Sequence, residues 1–201
     1  MTTTAPAWLV EAAGESPTAR YDRLVAARMI SERTLGKGGF TLTSGAFEHG
    51  GDLDPCFTAD EEDAVAPPLE WTAPPPGTQE IVLIVEDAHS ASDTPFCHWL
   101  VWGMPGQKGQ ILEGETPQRV GKNSFGNSEW LLPDPPTGDA PHDFVFQLYA
   151  LDLPLVLMPG ASRSELEKEM ENHVLAAALL TGRYAREEGG DYDWNEQDET
   201  E

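Results

Sequence analysis

Asp87, His89, His98 and His142 lie on two short stretches, VEDAHSASDTPFCHWLVWGMP (85–105) and PDPPTGDAPHDFVF (133–146). A protonated imidazole donates from both nitrogens, and a neighbouring carboxylate raises its proton affinity. Histidines beside Asp87 therefore suit capture of a small anion even within an acidic protein. Asp87 and His89 stand two residues apart and, on an extended segment, point to one side. His98 opens the next apolar run, and a returning loop must bring in His142. The same four side chains are of the types that zinc or another borderline divalent ion takes, which gives a second chemistry. A third is hydrolysis of a small ester, with Asp87 orienting His98 or His142 as general base. No G-x-S-x-G elbow supports it. The bland alternative is that His98 and His142 only satisfy buried carbonyls. Residue types and spacing alone favour that alternative over an anion pocket.

The elements that must position these residues are mainly β. From Phe40 onward, short runs (FTLTS, PPLEW, IVLIVED, HWLVWGM, FVFQLYALD) alternate with Pro- and Gly-rich connections, the pattern of an all-β body. Ile81 to Val85 reads as a buried strand whose end, Glu86 and Asp87, reaches the rim of a sheet. The loops APPPGTQ (73–79) and LLPDPPTGDAP (131–141) are too rich in proline to be helical and stiffen the connections around a pocket. Residues 1–35 read as a helical packing arm, with Tyr21, Leu24, Val25, Ala27, Met29 and Ile30 as an approximate stripe between Pro17 and Leu35. SRSELEKEMENHVLAAALLTGRYAR (162–186) reads as one helix. Ser162 and Glu165 form a capping box, Leu166, Met170, Val174 and Ala178 recur every four residues, and Gly182 suits its terminus. The body thus spans 36–186, and 187–201 is an acidic, unpatterned tail expected to be disordered.

Composition sets limits on partners. The chain has 201 residues, is 39% hydrophobic, and carries 35 acids against 12 bases, a formal charge of -23. Such a length suits one domain with a core. The charge argues against nucleic acid and anionic membrane surfaces, since either polyanion is repelled. Eight of the acids fall in the last fifteen residues, and only four lysines occur. That balance fits either adaptation to a salty cytoplasm, where salt screens self-repulsion, or an ordinary acidic protein with an acidic tail. The N-terminus lacks a secretory pattern and no run reaches the roughly 20 apolar residues of a membrane span, so a cytoplasmic protein without membrane insertion is expected. Cys56 and Cys97 are too few for a disulfide framework, and Cys97 reads as a buried filler. Trp71, Trp99, Trp102 and Trp130 are expected in the core or at a cleft rim, Trp130 at a pocket mouth or subunit contact. GKNSFG (121–126) reads as turn chemistry, His49 as a surface turn, and His173 as a packing residue on the helix.

The order FTLTSGAFEHGGDLDPCFTAD, APPLEW, VEDA, PFCHWLVWGMP, GKNSFG, PDPPTGDAPHDFVFQLYALD and NHVLAAALLTGRYAR resembles the phosphatidylethanolamine-binding protein family, most closely its bacterial and archaeal Raf kinase inhibitor-like branch. The resemblance covers about Phe40 to Arg186. It implies a Greek-key β-sandwich and a pocket that accepts anionic groups such as phosphate, a phosphorylated metabolite or a lipid head group. It also implies no catalysis, regulation of a protein partner, and a homodimer, and it makes a non-catalytic anion pocket without a cofactor the leading expectation. By that resemblance, Asp87 matches the first acid of the family's DPDAP-type segment, His98 the histidine before the apolar strand, and His142 that of the second segment. Pro135 and Pro136 match its paired prolines, and Phe144 takes a position where relatives carry Tyr. The chain departs at His89, which replaces the second acid, and at Ala88 and Ala91, which replace prolines.

Overall fold

Eight strands and three short α-helices make up the computed structural model, which describes residues 4–186. In chain order the strands are β1 (Leu42–Thr43), β2 (Gly51–Asp52), β3 (Leu69–Trp71), β4 (Glu80–Asp87), β5 (Phe96–Pro105), β6 (Gly109–Ile111), β7 (His142–Leu151) and β8 (Val174–Tyr184). The helices are α1 (Ala7–Ala13), α2 (Ala26–Met29) and α3 (Arg163–Met170). A five-stranded sheet runs β2-β8-β7-β4-β5, and a three-stranded sheet runs β1-β3-β6. Among these described strands, the β2–β8 pair is the parallel one and the other pairs are antiparallel.

The larger sheet is buried on both faces, which explains its continuous apolar runs. One face packs Leu83, Val85, Trp99, Phe144, Phe146 and Leu148 against Leu42, Leu69, Trp71 and Ile111 of the smaller sheet, the inter-sheet core of a sandwich. The other face packs Val82, Ile84, Leu100, Val145 and Tyr149 against Leu9, Leu24 and Val25 of the N-terminal arm and Leu166 and Met170 of α3. Strand alternation needs one wet face, and β4 has none: all eight of its residues are buried. Trp71, Trp99, Trp102 and Cys97 are in the core as expected.

The single helix expected over 162–186 is corrected. The capping box at Ser162 and Glu165 forms, but α3 ends at Met170 and Asn172 turns the chain with φ 65° into β8. Ala176, Ala178 and Leu180 enter the inter-sheet core while Ala177 and Leu179 lie on the other face. A strand covered on both sides has no polar period to contradict a four-residue repeat. Gly182 is therefore no helix terminus. It sits in β8 opposite Phe144, where a Cβ would fall 2.5 Å from Leu53 Cδ2. His173 accordingly lies past α3, with Nδ1 2.8 Å from Asp152 Oδ1.

The continuous helix expected between Pro17 and Leu35 also breaks up. Tyr21, Leu24, Val25 and Ile30 are buried as read, yet only Ala26–Met29 is α-helical in that stretch. Buried side chains of the sheet take the backbone donors instead: Val25 N–H donates to Glu86 Oε2 at 2.9 Å, and Ala26 N–H to Gln147 Oε1 at 2.8 Å. The expected disordered tail, 187–201, lies outside the described residues.

Candidate anion-binding cleft

β5, β4 and β7 are neighbours in the large sheet, and their adjoining ends supply the cleft. Asp87 closes β4, in register with Phe96 of β5 and Phe144 of β7. Residues two apart on a strand share a face, so Phe96 and His98 project together, as do His142 and Phe144. The loop after Glu129 covers them. Leu131 N–H donates to His98 O at 2.9 Å, Trp130 Nε1 donates to Phe57 O at 3.2 Å, and Ala59 N–H donates to Pro133 O at 2.9 Å. Prolines need no partner for a missing N–H, so Pro133 and Pro135 are buried there without backbone donors to satisfy.

The resulting cleft, about 210 Å³, is lined by Asp87, His98, Pro135, Pro136, His142 and Phe144, six of the seven residues expected from sequence. Ser90, Phe96, Phe125, Leu131, Leu132 and Asp134 complete it. Of these, Phe96 was legible in principle, since it sits two residues before His98 on the same strand. Phe125, 69% exposed, stands edge-on to Phe96 at 5.3 Å. It is held by the turn expected at 121–126, where Asn123 Oδ1 accepts from Phe125 N–H and Asn127 N–H. Trp130 instead lines a larger neighbouring cavity of about 520 Å³, which shares Phe125, Leu131, Leu132 and Asp134 with the cleft.

His89 does not line the cleft, contrary to its expected placement beside Asp87. β4 ends at Asp87, so the extended geometry that would align the two side chains is lost in the turn that follows. Its Nδ1 accepts from Asp143 N–H at 3.0 Å, and Nε2 meets Thr18 Oγ1 at 3.0 Å and Ser16 Oγ at 3.2 Å. The ring backs onto His142, stacked at 5.3 Å between centroids. His89 therefore joins the arm to the sheet. Beside it, Asp143 accepts from Tyr21 Oη at 2.5 Å and Arg183 Nε at 3.0 Å, while Arg183 also donates to Gly14 O at 2.7 Å. The four-residue metal set does not assemble, and among the described residues no three His, Cys, Asp or Glu side chains converge on a metal-sized centre.

Electrostatics divide the two cleft histidines. Burial alone lowers the proton affinity of His142. The hydrogen bond and charge of Asp87, whose Oδ2 lies 2.8 Å from Nδ1, outweigh it together with Asp139, and the pKa is raised. Asp87 Oδ1 accepts from His89 N–H at 2.8 Å, which fixes the carboxylate in place. His98 behaves oppositely: burial lowers its pKa despite the nearby Leu131 carbonyl and Asp87. The cleft thus pairs an imidazole whose charged form is favoured with one whose neutral form is favoured.

A family model described as phosphatidylethanolamine-binding protein matches residues 43–185. The UPF0098 protein of Aquifex aeolicus is 34% identical over 151 residues, covering 72% of this chain and 87% of its own. A crystal structure of a phosphatidylethanolamine-binding protein homologue from Chlamydia trachomatis shares 30% identity with a TM-score of 0.68, covering 73% of this chain and 97% of its own. YbcL of E. coli, described as a member of the mammalian PEBP family, shares the fold at 22% identity with a TM-score of 0.67, over 73% of this chain and 98% of its own.

Proposed function

We propose a binding function for this chain, which belongs to the phosphatidylethanolamine-binding protein family: its cleft holds a small oxyanion and performs no chemistry on it. The observation that carries the reading is the Asp87–His142 pair, in which the carboxylate favours the protonated imidazole at the end of a small, largely apolar cleft. In such surroundings a charge-assisted hydrogen bond is worth roughly twice a neutral one, and a single donor suffices to orient an anion. Pro135 and Pro136 stiffen the wall, and the Phe96 and Phe144 rings exclude water. A phosphorylated metabolite or a lipid head group would offer the same oxyanion.

The hydrolase reading is supported less well. Asp87 orients His142 as an acid orients a catalytic base, but among the described residues no Ser, Thr or Cys side chain is hydrogen-bonded to His142 or His98. The Nε2 of His142 instead lies 3.8 Å from Asp139 Oδ2. Regulation of a protein partner and a homodimeric state belong to the proposal through family resemblance. Among the described residues, no helix is long and apolar enough to cross a membrane.

Calorimetric titration of inorganic phosphate into wild type, His142→Ala and His98→Ala tests the reading, with a parallel screen of phosphate and carboxylate esters. Saturable binding weakened at least about tenfold by His142→Ala, without turnover, is expected. Turnover lost in both variants would replace binding with hydrolysis.

A further inference from the structure

Beside the cleft, the cavity of about 520 Å³ has an apolar wall and an acidic rim. Trp99, Trp130, Val65, Val120 and Leu131 make up much of the wall. Trp130 is fixed there, since its Nε1 donates to Phe57 O at 3.2 Å and its ring stacks on Phe146 at 5.9 Å between centroids. The rim comes from three segments, 59–66 (ADEEDAVA), 113–117 (EGETP) and 125–134 (FGNSEWLLPD). They carry four, two and two carboxylates and no lysine or arginine. All of these acids are exposed, and Glu115, Glu129 and Asp134 line the cavity itself.

Arg186 pairs with Asp60 at 2.6 Å and with Asp134 at 2.5 Å. Glu61, Glu62, Asp63, Glu113, Glu115 and Glu129 form no ion pair among the described residues. The segments are also tied to one another: Ala59 N–H donates to Pro133 O and Gly114 N–H to Ala66 O, each at 2.9 Å. The collar is therefore preformed, and a ligand does not have to order it. Like charges gathered around an apolar hollow repel one another, and entry of cations relieves that repulsion.

We propose that this cavity docks a basic segment of a partner protein. An aliphatic or aromatic side chain of the segment enters against Trp130 and Val120, and Arg or Lys residues on either side of it meet Glu115 and Glu129. A single ammonium would answer only part of a collar spread over three loops. Several cations set apart, with an apolar group between them, answer the collar and the wall together, and the Trp130 indole adds an aromatic ring that attracts cations. Charge argues against the other occupants within reach. A second copy of this chain carries a formal charge of -23, and its own segment 187–201 has eight acids and no base. The site is separate from the Asp87–His142 pair and does not depend on what the cleft holds.

The test is calorimetry of the full chain at about 0.1 M salt, where charges within roughly 10 Å still act on one another. The probes are acetyl-Arg-Arg-Phe-Arg-Arg-amide, its counterpart with Glu in place of Arg, and spermidine. The basic peptide is expected to bind at least about tenfold more tightly than either of the others. Equal affinity for the acidic peptide, or no binding of the basic one, overturns the proposal. Equal affinity for spermidine assigns the collar to charge alone and overturns the partner segment. In the double variant Glu115→Gln, Glu129→Lys, affinity for the basic peptide is expected to fall at least about tenfold with the melting temperature unchanged; the glutamine keeps the acceptor that Glu115 offers to Leu112 N–H. Undiminished affinity in that variant contradicts the proposal. Phosphate titrated into the same variant reads the cleft separately, since neither residue lines it.

Discussion

Asp87 Oδ2 and His142 Nδ1 stand 2.8 Å apart although 55 residues separate them in the chain. The pair is set by register: β4 and β7 are adjacent and antiparallel, and each contributes a residue from the end that meets the cleft. Because the pKa of His142 is raised in the fold, the pair stabilises the protein fully below about 6.5, the unfolded imidazole value. That contribution is lost as pH climbs through the raised folded value. Asp87→Asn is expected to lower the His142 pKa, because the hydrogen bond and charge of the carboxylate raise it, and to flatten the pH dependence of melting over the same window. NMR titration of the His142 ring signals measures the first effect directly. An unchanged His142 titration would show that the carboxylate does not govern its charge.

His89 separates binding from anchoring. His89→Ala removes the acceptor for Asp143 N–H and the contact with Ser16 and Thr18, a loss of about 1–3 kcal/mol of stability. Phosphate affinity is expected to change less than about threefold, since the ring does not line the cleft. Chemical denaturation and calorimetry on one preparation compare the two effects. A large loss of affinity with intact stability would put His89 in the binding site after all.

Behind the cleft, Glu86 is fully buried and accepts from Arg163 Nε at 2.6 Å, Gln147 Nε2 at 2.8 Å and Val25 N–H at 2.9 Å. It ties α3, β7 and the arm to one strand. Arg163→Met leaves that carboxylate without its counter-charge and is expected to destabilise by about 3–5 kcal/mol. Adding Glu86→Gln to it should restore most of the loss, because the uncompensated charge, rather than the missing guanidinium, is the unfavourable element. Urea denaturation of both variants decides between these contributions.

Gly182→Val places a side chain where the Leu53 side chain already sits, 2.5 Å from the position of its Cβ. Overpacking of this kind costs about 1–3 kcal/mol. Since Gly182 faces Phe144 across the β7–β8 ladder, the variant is expected to disturb the cleft wall as well. A reduced melting temperature with phosphate affinity lowered in the same preparation is the expected pair of readings.

Much of this architecture could be read from the sequence because its strongest signals are local. IVLIV is apolar throughout and FVFQLYAL is broken only by Gln147, the pattern of strands covered on both faces. The prolines at 133, 135 and 136 mark a rigid loop regardless of tertiary context. Asp87, His98 and His142 were reachable because each sits at a strand end, where a single side chain projects into whatever the loops enclose. Errors arose where local signals conflict with tertiary ones. Leu166, Met170, Val174 and Ala178 keep a helical spacing across Asn172, but positive φ at Asn172 and two buried sheet faces turn the second half into β8. The arm has the right buried residues in the wrong backbone form, because Glu86 and Gln147, some 60 and 120 residues away, take its N–H groups. No periodicity reports such a partner. His89 lies off the cleft because β4 ends at Asp87, so the two-residue spacing of a strand does not carry past the last paired residue.

The most direct test of the binding account is NMR observation of the five imidazoles while inorganic phosphate is added at about pH 6. The ring signals of His98 and His142 are predicted to shift together along one saturable curve. Those of exposed His49 and of His173, paired with Asp152 outside the cleft, should stay in place. Shifts absent from the two cleft rings, or equal in size at His49 and His173, would contradict the claim that the Asp87–His142 cleft is where this protein holds its ligand.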